Sequence, residues 1–204
     1  MATQTAAPRI GLYGGAFDPP HLAHLALVTV ALSQLRLDRL HLVPTGQAWH
    51  KPRSLSSAHH RLAMCALAFA GISQVLVDER EILRQGATFT VETLRELRQE
   101  NPSSPLFLII GADQARDFNR WKSWSDILDM ATVCVAPRAV DAPTAKASSD
   151  DGSIATRFLS LDMQPMAISA TDIRHRVAAG LSVLGLVTQP VAGYIAKQHL
   201  YQDI

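Results

Sequence analysis

Two histidines three residues apart, His21 and His24, follow a pair of glycines, Gly14 and Gly15, within the stretch "GLYGGAFDPPHLAHLAL". The chain crosses there from an apolar strand-like run into an apolar helical one. At such a crossing the two glycines leave backbone amides open to a ligand, and the first turn of the helix directs its unpaired amides into the same space. The spacing predicts that both imidazoles share one face of that turn, at its positive end, within reach of one phosphate. This is an anion site by construction. The glycine spacing is neither the dinucleotide GxGxxG nor the GxxxxGK[ST] phosphate loop. A bare glycine pair can also serve only as a tight turn, and an isolated His-x-x-His only as a packing pair or part of a metal site. No carboxylate or thiol cluster nearby supplies further metal ligands, so no metal site is assigned.

A second group lies near the far end. In "ISATDIRHR", Ser169 is placed to cap a helix with Asp172 three residues on, a pattern that by itself marks only a well-started helix. Arg174 follows one turn inside. Its planar donors can meet phosphate oxygens in pairs without losing charge.

The elements that must position these residues alternate. Strand-like runs at "RIGLYG", "RLHLVP", "QVLVDE", "LFLIIG", "TVCVAP" and "RFLSLD" are separated mostly by helical spacing. The helical stretches are "HLAHLALVTVALSQL", "SAHHRLAMCALAFAG", "FTVETLRELRQEN", "SWSDILDMA", "SATDIRHRVAAG" and "PVAGYIAKQHL", with Gly71 and Gly180 as terminators and Pro102 as a stop. Strand then helix, repeated, predicts an α/β fold: a Rossmann-like, doubly wound, mostly parallel sheet with helices on both faces, and ligands at the carboxyl ends of its strands. At 204 residues the chain is expected to form one domain, its C-terminal helical part from about 169 to 204 carrying the second phosphate motif. The polar segment "AVDAPTAKASSDDGS" reads as a surface loop within that domain.

Composition narrows the partners. With 48% hydrophobic residues, 18% charged residues and a net charge of +1, the chain has no general pull toward nucleic acid. The first residues lack the basic region and apolar core of a secretory signal, and no apolar run approaches a membrane span, so a cytoplasmic protein is expected. Cys65, in a helical pattern, and Cys134, in a strand pattern, read as buried free thiols. A homo-oligomer is compatible with all of this.

Taken whole, Gly14 to His24 resembles the HxGH signature of the nucleotidyltransferase superfamily, and "ISATDIR" resembles the superfamily's ISSTxIR motif. Both motifs in order, at opposite ends of a chain of this length, narrow the resemblance to bacterial nicotinate-nucleotide adenylyltransferases, over nearly the whole chain. Between them "VPTGQAWHKPR", "ATFTVETL" and "IIGADQARDFNRWKSW" are similar to that family's basic loop, its segment before a central helix and its stretch over the nicotinate ring.

The resemblance implies adenylyl transfer from ATP to nicotinate mononucleotide, giving deamido-NAD and pyrophosphate, with Mg²⁺ accompanying ATP. It implies catalytic roles for His21, His24 and Arg174. ATP would be bound by these three together with Gly14, Gly15, Phe17, Gly111, Asp113, Ser169 and Thr171. Nicotinate mononucleotide would be bound by Gly15, Asp18, His50, Lys51, Thr90 and Trp121, with Trp121 stacking on the pyridine ring. Three positions depart from the common pattern: Ala16 stands in place of a hydroxyl residue, Ala23 in place of the HxGH glycine, and Ala170 in place of the second serine of ISST. Rival acceptors are nicotinamide mononucleotide and phosphopantetheine. A nucleotide-binding sensor without turnover is the rival from another class.

Overall fold

The computed structural model describes residues 6–46, 55–137 and 157–202. His50, Lys51 and the segment "AVDAPTAKASSDDGS" lie outside the described residues. The elements run β1 (Ile10–Gly15), α1 (Leu22–Gln34), β2 (Arg39–Pro44), α2 (Ala58–Phe69), β3 (Val75–Val77) and α3 (Arg80–Leu83). They continue with α4 (Thr90–Glu100), β4 (Leu106–Gly111), α5 (Ala112–Arg116), a 3₁₀ turn (Phe118–Arg120), α6 (Trp124–Met130), β5 (Thr132–Ala136), β6 (Leu159–Ser160), α7 (Ala170–Ala178) and α8 (Gln189–Lys197).

All strand pairings are parallel, in the order β3-β2-β1-β4-β5-β6. The sheet is therefore wholly parallel where the sequence pattern set only a mostly parallel one. Side chains alternate between its two faces with the period of a strand. Ile10 and Leu12 of β1, with Leu106, Leu108 and Ile110 of β4, pack against Val91, Leu94 and Leu97 of α4 and Ile127 of α6. Tyr13, Phe107 and Ile109 point the other way, toward Leu27, Val28 and Ala31 of α1 and Cys65 and Phe69 of α2. A third cluster joins Met64 of α2 to Ile173, Val191, Ile195 and Tyr201, and so anchors the C-terminal helices. Cys65 and Cys134 are both buried free thiols.

The edge strands are shorter than their apolar runs, because β3 and β6 each pair on one side only, through Val75–Val77 and Leu159–Ser160. Gly180 ends α7 with φ +69°, its N–H on Val177 O at 2.9 Å and Leu181 N–H on Arg176 O at 2.8 Å, a Schellman closure that needs a left-handed residue. Gly71 does no such work: α2 closes on right-handed Ala70, and Ile72 N–H turns back to Phe69 O at 3.0 Å. Two short helices, α3 and α5, carry too few residues to show a periodicity in sequence.

Candidate active site

Strand order reverses between β1 and β4, and there the sheet opens. The β1–β4 ladder ends at Tyr13 and Ile109, while β1 continues beside β2 to Gly15 and β4 continues beside β5 to Gly111. The splayed carboxyl ends leave a crevice at the position where doubly wound sheets bind ligands. Two cavities occupy it, of about 600 Å³ and about 540 Å³. They share Gly14, Gly15, Ala16, Asp113 and Gln114 and separate on either side of them. A Cβ on Gly15 would stand 3.0 Å from the Phe17 ring and would have to push that buried ring aside by a few tenths of an ångström.

His21, His24, Ser169, Thr171 and Arg174 all line the larger cavity, with Gly111. His21 is the N-cap of α1 and His24 its third residue. The His21 backbone N–H donates to His24 Nδ1 at 3.1 Å. With Nδ1 occupied as an acceptor, the neutral His24 ring carries its proton on Nε2. The two imidazoles stack with centroids 3.6 Å apart and planes at 19°, and Phe17 meets His24 edge-on at 5.1 Å. His21 Nδ1 is buried without a hydrogen-bond partner. Burial pushes the His21 imidazolium down to about 4, and burial together with the neighbouring His21 charge holds His24 well below the ordinary histidine value. Two stacked, desolvated rings stay neutral at pH 7.

The first turn of α1 is less open than its sequence suggests. Leu22 N–H donates to Leu186 O at 2.9 Å and His24 N–H to His21 O at 2.9 Å. The imidazoles, rather than a row of free amides, are what this helix offers. On the opposite wall Ser169 caps α7, its hydroxyl accepting from Asp172 N–H at 3.1 Å. Arg174 extends from α7 back to the glycine loop, with Nη1 donating to Asp18 O at 2.8 Å and Nη2 to Thr171 Oγ1 at 3.0 Å.

Two of the sequence-predicted ligand residues have other engagements. Asp18 is 1% exposed, its carboxylate accepting from Tyr201 Oη at 2.7 Å and from Ser56 N–H at 3.1 Å. Phe17 is 2% exposed, its ring set edge-on against His24. Arg61, which no motif marks, is buried in α2 and donates to Ala16 O at 3.1 Å and Ser56 O at 3.0 Å. Its sequence context, "AHHRLAMCALAF", reads as an ordinary amphipathic helix, and nothing local distinguishes it.

Thr90 and Trp121 line the smaller cavity. Thr90 is the first residue of α4, whose N-cap, Phe89, has no side chain able to occupy the helix amides. An uncapped, eleven-residue helix that starts in a cavity wall favours a negative group there. Trp121 is half-buried and rests on the Phe118 ring at 5.3 Å, which in turn meets Phe158 edge-on at 5.2 Å. Lys122 lies over Phe89 at 4.1 Å and pairs with Glu92 at 2.8 Å. Glu81, buried in the same wall, accepts from Thr93 Oγ1 at 2.9 Å, and its burial raises its carboxyl above the usual range. Between the cavities Gln114 Oε1 caps the Gly111 N–H at 3.1 Å, and Asp113 pairs with Arg116. Gln114 and Glu81 were not distinguishable by sequence, since each sits in a short helix with ordinary helix composition.

A nucleotide-sized space with neutral imidazoles and an arginine on one side, joined through bare glycines to an aromatic pocket with a helix N-terminus, defines a nucleotidyltransferase type of site. The cytidylyltransferase-like family model matches residues 12–176, from β1 into α7, and so takes in both walls. A curated protein of Albidiferax ferrireducens named probable nicotinate-nucleotide adenylyltransferase is 52% identical over 95% of this chain and 98% of its own length. One of the same name from Bordetella pertussis is 42% identical, again over 95% and 98%. A solved Plasmodium falciparum nicotinic acid mononucleotide adenylyltransferase, complexed with NaAD, has the same fold, with a TM-score of 0.77 at 20% identity over 95% of this chain and 97% of that one. The chain belongs to the cytidylyltransferase-like family and, within it, to the nicotinate-nucleotide adenylyltransferases.

Proposed function

We infer that this protein transfers the adenylyl group of ATP to nicotinate mononucleotide, forming deamido-NAD and releasing pyrophosphate. The observation that carries this is the meeting of two cavities at Gly14, Gly15 and Ala16, one lined by His21, His24 and Arg174 and the other by Trp121. ATP occupies the larger cavity and nicotinate mononucleotide the smaller, so that α-phosphate and acceptor phosphate come together over the glycines.

A phosphate oxygen of nicotinate mononucleotide attacks the α-phosphorus of ATP in line. The bond from that phosphorus to the α,β-bridging oxygen breaks, and pyrophosphate leaves. The nucleophile arrives ionised, so no general base is required, and catalysis consists of positioning and of neutralising charge on the phosphate oxygens. His24 donates from Nε2 to the α-phosphate and His21 meets the leaving side. Arg174, with Ser169 and Thr171 at the start of α7, holds the β- and γ-phosphates. Gly111 and Asp113 lie beside the adenosine. At the far end Trp121 stacks on the pyridine ring while the α4 amides at Thr90 receive the carboxylate. Phe17 and Asp18 serve the two ligands through the shape of the loop. His50 and Lys51 remain assigned to the acceptor phosphate on the resemblance alone.

Among the described residues no group of three His, Cys, Asp or Glu side chains is placed to hold a metal ion; of the carboxylates in the larger cavity, Asp18 is held by Tyr201 and Asp113 pairs with Arg116. A protein-held Mg²⁺ does not fit this donor set. Mg²⁺ enters as part of the substrate, bound to ATP phosphates and water. No helix among the described residues is long and apolar enough to cross a membrane. A cytoplasmic location and the absence of nucleic-acid partners follow the same proposal.

Pyrophosphate release from Mg-ATP with nicotinate mononucleotide, nicotinamide mononucleotide and phosphopantetheine in parallel tests the assignment. The first acceptor should turn over fastest. Fastest turnover of phosphopantetheine would overturn it, and ATP binding without turnover of any acceptor would favour a sensor.

A further inference from the structure

Asp18 is the meeting point of four segments far apart in sequence. Its Oδ1 accepts from Tyr201 Oη at 2.7 Å in a buried contact, its Oδ2 accepts from Ser56 N–H at 3.1 Å, and its carbonyl accepts from Arg174 Nη1 at 2.8 Å. Arg61 closes the group by binding Ser56 O and Ala16 O. Among the described residues, Arg61 of α2 faces this carboxylate, and Arg174 of α7 faces the Tyr201 hydroxyl bonded to it. Tyr201 enters the group from beyond the last helix, α8.

Its backbone is unusual. Tyr201 has φ +64° and His199 φ +50°, both in the left-handed region that side chains other than glycine rarely adopt. Such conformations persist where surrounding contacts over-determine them, and they gather at functional sites. The contacts are present here: Tyr201 is buried in the cluster that also holds Met64, Ile173, Val183 and Ile195, and its hydroxyl is fixed by Asp18. Ile173 directly precedes Arg174, so the helix that carries the arginine is anchored in the same buried cluster as Tyr201.

We propose that Tyr201 is a positioning residue for adenylyl transfer: through its hydrogen bond to Asp18 it holds the glycine loop and Arg174 in register with each other. The loop lies at the junction of both cavities and Arg174 in the wall of one, 156 positions further along the chain. A carboxylate pinned on both oxygens fixes the direction of the Asp18 carbonyl, and hence where the guanidinium sits. The inference rests on the adenylyl-transfer activity proposed above.

The test removes one atom. Tyr201→Phe keeps the ring in its cluster and deletes only the hydroxyl. Measured well below the variant's own Tm, kcat should fall about tenfold while KM for nicotinate mononucleotide stays within about twofold. Amide hydrogen exchange over residues 14–18 should quicken, with β4 and α4 unchanged. Parental kcat, or parental exchange in the loop, would overturn the proposal even if Tm fell, since that is the signature of a merely structural contact. If the parent chain itself released no pyrophosphate, the adenylyl-transfer reading would fail, and the exchange comparison would still decide whether the hydroxyl orders the loop.

Discussion

His21 and His24 stack with their ring centroids 3.6 Å apart, and the backbone of the first donates to the ring of the second. The pair therefore behaves as a unit. Removing His24 deletes the Nε2 donor and leaves His21 without its stacking partner. His24→Ala should lower turnover by roughly a few hundred-fold, about 3–4 kcal/mol of transition-state stabilisation by analogy with loss of an oxyanion-hole donor. Steady-state pyrophosphate release measures it. Turnover near the parent rate would remove His24 from the chemistry.

The same burial makes the fold sensitive to acid. His21 titrates near 6.5 when unfolded and is pushed down to about 4 when folded, and His24 is lowered as well. Between those values the unfolded chain binds more protons, so stability is complete above pH 6.5 and is lost as pH falls toward 4. Thermal melts across that window should show a falling Tm. His21→Gln should flatten part of the slope, and a parental slope in that variant would contradict the assignment.

Much of this was legible in the chain. The alternation of apolar runs with helical spacing gives a parallel sheet, and each strand run contains an observed strand. Gly14, Gly15, His21, His24, Ser169, Thr171 and Arg174, separated by more than a hundred residues, line one cavity as the two motifs implied. What was not legible depends on long-range contact. Asp18 reads as a ligand residue because it sits inside the motif, yet its carboxylate is engaged by a tyrosine from the far end of the chain. Arg61 has no local signal because its partners are carbonyls that the fold delivers. The amide of Leu22 looks free until Leu186 is brought against it.

Arg61 offers a stability prediction. Arg61 is 3% exposed, and its guanidinium binds Ala16 O and Ser56 O beside buried Asp18. Arg61→Met would strip two carbonyls of their charged donor and leave the Asp18 charge with less compensation, at a cost of about 1–3 kcal/mol for each acceptor left unsatisfied. Urea denaturation should show the midpoint falling accordingly. Arg61→Lys should recover only part, because an ammonium cannot span both carbonyls in a fixed fork.

Trp121 separates the two substrates. If it stacks on the pyridine ring, Trp121→Ala should raise KM for nicotinate mononucleotide by about 10- to 100-fold, given roughly 1–3 kcal/mol for an aromatic stack. KM for ATP should hardly change, since Trp121 lines only the smaller cavity. Initial-rate measurements with each substrate varied in turn distinguish this from a general loss of packing, which would affect both.

The central claim is direct transfer of the ATP α-phosphate to nicotinate mononucleotide where the two cavities meet. Single-turnover reaction with ATP labelled at the α-phosphorus tests it most directly. The label should pass into deamido-NAD in step with pyrophosphate release, and no label should remain on the protein when the acceptor is omitted. Labelled protein in the absence of acceptor, or pyrophosphate release without labelled deamido-NAD, would contradict it.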